Sequence, residues 1–140
     1  MTPKLVKPKL RAPERWLIAL SVAAGLALFV IGIRFLIVPH QASRFFGIGA
    51  PPGPFDLHHV IALRDLWLAL LLIGLALLRE WRALALCLGL GALVCVGDAL
   101  IVMQSSGHWS SKPGAIAFHL ASGLYCGVLA WIAQRRSLSV

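Results

Sequence analysis

Polar and apolar residues fall in blocks along this chain instead of alternating within it. Four stretches are almost continuously apolar, at about 16–38, 60–78, 83–103 and 114–133. Each is close to the ~20 residues that carry an α-helix across ~30 Å of hydrocarbon. The pattern predicts an all-α fold, an integral membrane four-helix bundle over residues 16–140. Residues 1–15 hold Lys4, Lys7, Lys9, Arg11 and Arg15 among three prolines. Such a segment has too little apolar matter to bury and is expected as a flexible basic tail on the cytoplasmic side. A cleaved signal peptide competes for the first block, but its apolar run far exceeds the ~7–15 residues of a signal core.

The connections differ in kind. Only Arg79-Glu80-Trp81-Arg82 separates the second and third blocks, which forces an antiparallel hairpin. Between the first and second, Pro39 opens a longer loop that contains Ala50-Pro51-Pro52-Gly53-Pro54 and is expected to be extended and stiff. Within it, Gln41 to Phe46 reads as a short interfacial turn with Phe45 and Phe46 dipping into the headgroups. The last loop, Gln104 to Pro113, is rich in Ser and Gly and carries Trp109 as an interface anchor.

Composition narrows the class. Of 140 residues, 59% are hydrophobic and 13% charged, with a mean hydropathy of +0.86. A soluble domain carries about 25% charged residues, so this chain lacks the polar surface of a water-soluble globule. A disordered chain, a secreted disulfide scaffold and a cytosolic enzyme are excluded. The formal charge of +8 comes from basic residues gathered at the ends of apolar blocks, which reads as membrane topology and gives no reason to expect nucleic acid as a partner. Nine Lys and Arg lie in the tail, the tight turn and the C-terminus (Arg135, Arg136), against Arg44 and Lys112 on the other side. Both termini are therefore expected in the cytoplasm, with the protein in a bacterial inner (plasma) membrane. Cys87, Cys95 and Cys126 all lie in apolar blocks without a CxxC spacing and read as small packing residues.

Candidate chemistry lies in the polar residues inside the blocks. Arg34, Arg64, Asp65, Asp98 and His119 come from four different blocks. Counted from the outer block ends at ~1.5 Å per residue, all five fall roughly 6–8 Å deep. Charges inside a bilayer cost about 2.5–3.5 kcal/mol near its centre and tend to face the bundle interior and pair there. Two Arg against two Asp suggests a self-compensating cluster, with His119 at its edge. On the third block Cys87, Gly91, Cys95 and Asp98 recur every three or four positions, and on the fourth His119, Ser122, Gly123 and Cys126 do the same. These small, weakly polar stripes suit a helix–helix interface in lipid and bring Asp98 and His119 face to face. His40, His58, His59 and His108 lie in outer loops without ligand spacing, so no metal or other cofactor is expected. Gly25 and Gly32 read as packing residues, and no phosphate loop, nucleophile elbow or HExxH occurs.

The order Gly32-Ile33-Arg34-Phe35-Leu36, Pro39, Phe46-Gly47, Arg64-Asp65-Leu66, Asp98-Ala99-Leu100-Ile101-Val102 and His119 resembles the small four-helix membrane proteins of domain of unknown function family 4267. The resemblance runs from about Trp16 to the end. This chain departs from the family's habits in having Ala62-Leu63 before the Arg-Asp pair, Val94-Cys95-Val96-Gly97 before Asp98 and Leu120 after His119. The resemblance implies four transmembrane helices and no particular activity.

The leading functional expectation is a binding site for a small lipophilic or amphipathic molecule, formed by Arg34, Arg64, Asp65, Asp98 and His119. A structural or accessory subunit, whose Arg/Asp/His network only fixes helix packing, is the alternative. Further behind stand a proton-transfer, isomerase-like enzyme with Asp98 and His119 as acid and base, and a small transporter. The lipid bilayer is the expected partner, and a homo-oligomer stays open.

Overall fold

A computed structural model describes residues 12–49, 56–106 and 112–138. Among them the chain is all-helical: α1 Ala12–Ile37, α2 Pro39–Phe46, α3 Asp56–Leu78, α4 Trp81–Ser106 and α5 Pro113–Ser137. The four long helices are long and apolar enough to cross a membrane. Large apolar side chains point outward all along them, among them Leu26, Leu70, Leu93 and Leu124. In water such a surface would aggregate, whereas in lipid it is the solvated face.

Several helices run past their apolar blocks, because backbone hydrogen bonding continues through the interface once the chain has left the hydrocarbon. Ala12 to Arg15, expected in the tail, form the first turn of α1, where Glu14 lies 4.0 Å from Arg136 of α5. At the other end α3 starts at Asp56, and α4 continues to Ser106. The rest of the tail, the proline cluster at 50–54, His108 and Trp109 lie outside the described residues.

The hairpin between α3 and α4 closes in two residues. Glu80 N–H donates to Leu75 O (3.0 Å) and Arg79 N–H to Ala76 O (3.2 Å), with Arg79 at φ 61°. This is the bond pattern of a Schellman cap, with Arg in the left-handed position that glycine usually takes. α2 ends in the same way: Ile48 N–H donates to Ser43 O and Gly47 N–H to Arg44 O, and here Gly47 supplies φ 96°. The expected interfacial turn is thus an eight-residue helix, with Pro39 in its first turn, where a missing N–H costs nothing.

The long helices associate as two close pairs, α1 with α3 and α4 with α5, and the pairs touch each other far less. Glycine sets the first pairing. A methyl on Gly25 would stand 2.5 Å from Ile73 Cγ1 and 3.1 Å from the Ala69 carbonyl oxygen. One on Gly32 would stand 3.0 Å from Leu66 Cγ and 3.1 Å from the Ala62 carbonyl. Two turns apart, these glycines let the backbones approach where lipid supplies no hydrophobic driving force. The pairs join at the end that carries both termini. There Leu17, Leu72, Ala76, Trp81, Leu84, Ala85, Leu88, Leu129 and Ala133 form one apolar core drawn from all four helices. At the other end, called outer after the charge count, α2 does the joining. Ala42 packs with Phe35 and Ala62 of the first pair, while Phe46 also touches the cluster of Ala99, Val102 and Ile116 in the second.

Candidate functional site

Between the apolar core and α2 lies the level that holds the ionisable side chains. Asp65 is on the buried face of α3, with Ala62 and Ala69 one turn to either side. Neighbouring positions on a helix point about 100° apart, so Arg64 reaches Asp65 only by curling back. Its Nε and Nη2 both donate to Asp65 Oδ1 at 3.3 Å, and its side chain stays half exposed.

Asp98 is half-buried on α4 and lies within electrostatic reach of Arg64, Asp65 and His119. Its carboxyl accepts no hydrogen bond from any described residue. His119 is buried on α5 and turned toward α2: Nε2 lies 3.0 Å from the Phe46 carbonyl oxygen, with the two rings edge to face at 4.3 Å. A carbonyl can only accept, so Nε2 carries the hydrogen and donates. Lys112, the N-cap of α5, reaches the next carbonyl along: its Nζ donates to Gly47 O at 2.7 Å. The Lys112 backbone meanwhile begins the helix ladder, its own carbonyl accepting from Ile116 N–H at 3.2 Å. Two carbonyls at the C-terminal end of α2 are thus held by side chains from the start of α5.

Arg34 does not join this set. It is exposed, and its guanidinium lies 5.1 Å from the centroid of the Phe45 ring on α2. The distances from the outer helix ends, as distinct from depth in a membrane, are unequal. Measured along the helices from their outer ends at ~1.5 Å per residue, Arg34 lies at about 4–5 Å, His119 at about 9 Å, and Asp65 and Asp98 at about 12–14 Å. The reason is that α3 and α4 extend well beyond the apolar blocks from which depth was first counted, while α1 stops at Ile37, just inside its own. The set that the fold gathers is Arg64, Asp65, Asp98 and His119, and without Arg34 its two carboxylates face a single guanidinium.

The thiols continue this set inward. Cys95 is within electrostatic reach of Asp98 and Cys126, and Cys126 within reach of Cys87. Among the outer histidines His58 stacks on Phe35 at 6.1 Å and His59 is exposed. No group of three His, Cys, Asp or Glu among the described residues is arranged to hold a metal ion. Two surface concavities lie away from the polar set. One, of about 460 Å³, is an apolar groove on the α4/α5 pair that includes Ala92, Gly123, Gly127 and Trp131. The other, of about 250 Å³, is bordered by Val38, Pro39, His40 and Gln41.

Sequence reasoning missed Phe46, Gly47 and Lys112 as site-building residues. Pro39 and Gly47 bracket α2 as start and stop signals, so its extent was there to be read. Nothing in the spacing distinguishes Phe46, which turns inward, from Phe45, which does not.

An all-α architecture with four membrane-length helices and a polar level inside them defines the class. Residues 25–133 match the family model described as Domain of unknown function (DUF4267), and the chain belongs to that family. No curated protein and no solved structure matches it.

Proposed function

We propose that this multi-pass protein binds a small lipophilic or amphipathic molecule where its two helix pairs part, at the level of Arg64, Asp65, Asp98 and His119. One observation carries the reading. Asp98 stands half-buried within a membrane-spanning helix without a hydrogen-bond partner among the described residues. An ionisable group at membrane depth ordinarily pairs with another group or lines a functional path, and a partner from outside the chain would complete it. The apolar core at the terminal end places Leu17, Leu72, Leu84, Leu88 and Leu129 across any continuation of that path, which favours binding over transport. Within the reading, the protein sits in a bacterial inner membrane with both termini in the cytoplasm.

Organic extraction and mass spectrometry of the purified protein test this. A small molecule should accompany the wild type and be missing from Asp98→Ala and His119→Ala, both recovered folded. Identical extracts from all three proteins would end the reading.

A second reading, a structural or accessory subunit, is favoured by His119, whose ring is committed to the Phe46 carbonyl. On that reading Asp98→Asn lowers the folded yield in detergent, because Asp98 then serves packing. Unchanged yield and melting would remove it.

A further inference from the structure

The unpaired groups at this level say what kind of head group would complete it. Of the two carboxylates, Asp65 takes both of the Arg64 hydrogen bonds. Arg34 is engaged with Phe45, and the His119 Nε2–H goes to the Phe46 carbonyl. Asp98 is left with acceptors and no donor among the described residues, and the formal sum of Asp65, Asp98 and Arg64 is about −1 before His119 is counted.

A second group is unsatisfied independently. Ser21, fully buried on α1, has a hydroxyl with no hydrogen-bond partner among the described residues. Tyr125 of α5 reaches this turn of α1, its hydroxyl donating to Leu20 O at 2.9 Å. Gly123 in turn seats against Cys95 and the Ala92 carbonyl of α4. Ser21 nevertheless lies level with the apolar core, more than two turns inward of Asp98. Gly25, one turn along, seats against Ala69 and Ile73 of α3, and Ile18, Val22 and Leu75 pack on that core. Gly91, one turn before Cys95 on the same stripe of α4, has open space where a side chain would begin. The open space at Gly91 thus lies between the unpaired carboxyl and the apolar core.

Access to that stretch is from the side. On the outer side α2 closes it: a methyl on Gly47 would stand 2.8 Å from both Ala115 Cβ and Val102 Cγ1. On the inner side the apolar core closes it. Between α3 and α4, adjacent in sequence but only loosely in contact, the helices part beyond their turn.

We infer that this seam takes a membrane-soluble molecule with a cationic, hydrogen-bond-donating head, an alkylamine or related amphiphile, which pairs with the Asp98 carboxylate while its chain stays toward lipid. The inference rests on the binding reading above and names the ligand's chemistry. A carboxylate head would meet a carboxylate, and a neutral head would leave the charge unmatched.

Native mass spectrometry of the full chain in phosphatidylcholine nanodiscs tests it, with decylamine, decanol and decanoic acid as probes. One saturable decylamine per chain is expected, at least about tenfold tighter than decanoic acid. Asp98→Asn should lose at least about tenfold in decylamine affinity, and Asp98→Glu should retain most of it. Decanoic acid or decanol binding as well as the amine would overturn the head-group assignment while leaving a binding site. So would undiminished amine binding by folded Asp98→Asn. Should that variant fail to fold, the amine-to-acid ratio on the wild type decides. No binding by any of the three overturns this inference, whereas the binding reading itself falls only if the extracts above are also identical.

Discussion

The two ends of the bundle hold the same four helices together by different means. At the terminal end, leucines and alanines from all four helices interlock, and the α3–α4 hairpin spans the gap with two residues. At the outer end an added helix, α2, lies between the pairs and is fastened by two carbonyls, those of Phe46 and Gly47, to His119 and Lys112. The first arrangement is distributed, so no single contact decides it. The second concentrates its hold in a few groups, and those groups border the polar level. A bundle fixed at one end and clasped at the other can part in between without coming apart, which suits a site that opens toward lipid.

Gly47→Ala should separate the two ends most clearly. The added methyl meets Ala115 and Val102 at 2.8 Å, and φ 96° lies outside the range comfortable for an L-residue. Left-handed strain of about 1–2 kcal/mol and overpacking of about 1–3 kcal/mol together give an expected loss of about 2–5 kcal/mol. The loss should concentrate at the outer end. It reads as a lower melting temperature in detergent, with labelling of Cys95 by a lipophilic maleimide rising more than that of Cys87. Equal increases at both thiols would mean that the two ends unfold as one unit, with no separate clasp.

His119→Ala comes next. It leaves the Phe46 carbonyl without its donor and removes the edge-to-face ring contact at 4.3 Å. The expected cost is about 1–2 kcal/mol. His119→Gln, which can still donate, should recover part of the melting temperature but none of the ring contact. If Gln is no better than Ala, the hydrogen bond is not what fastens α2.

Much of the architecture was legible in the sequence, because a membrane simplifies the physics. Length and apolarity alone mark the long helices, and the four residues at 79–82 leave only a hairpin. The interior positions of Asp65 and His119 follow from the cost of exposing such groups to lipid, and both are buried. Arg34 escaped that logic because it lies near a helix end, where a long side chain can reach outward, and because its companion Phe45 sits on a helix read as loop. The clasp was illegible for a further reason. It depends on backbone carbonyls, which every residue has, so no residue type announces it.

At the terminal end a milder change of opposite sign is expected. Arg79 occupies the left-handed position of the α3–α4 turn at φ 61°, where a side chain crowds its own backbone. Glycine carries no such penalty, while both capping hydrogen bonds, from Arg79 N–H and Glu80 N–H, are made by the backbone and would survive the change. Arg79→Gly should therefore raise stability by about 1 kcal/mol, less the entropy that glycine adds to the unfolded chain. The ratio of Cys95 to Cys87 labelling should not change, since the outer clasp is untouched. A lower melting temperature would show that the Arg79 side chain itself holds this turn, and the terminal end would then depend, like the outer one, on polar side chains.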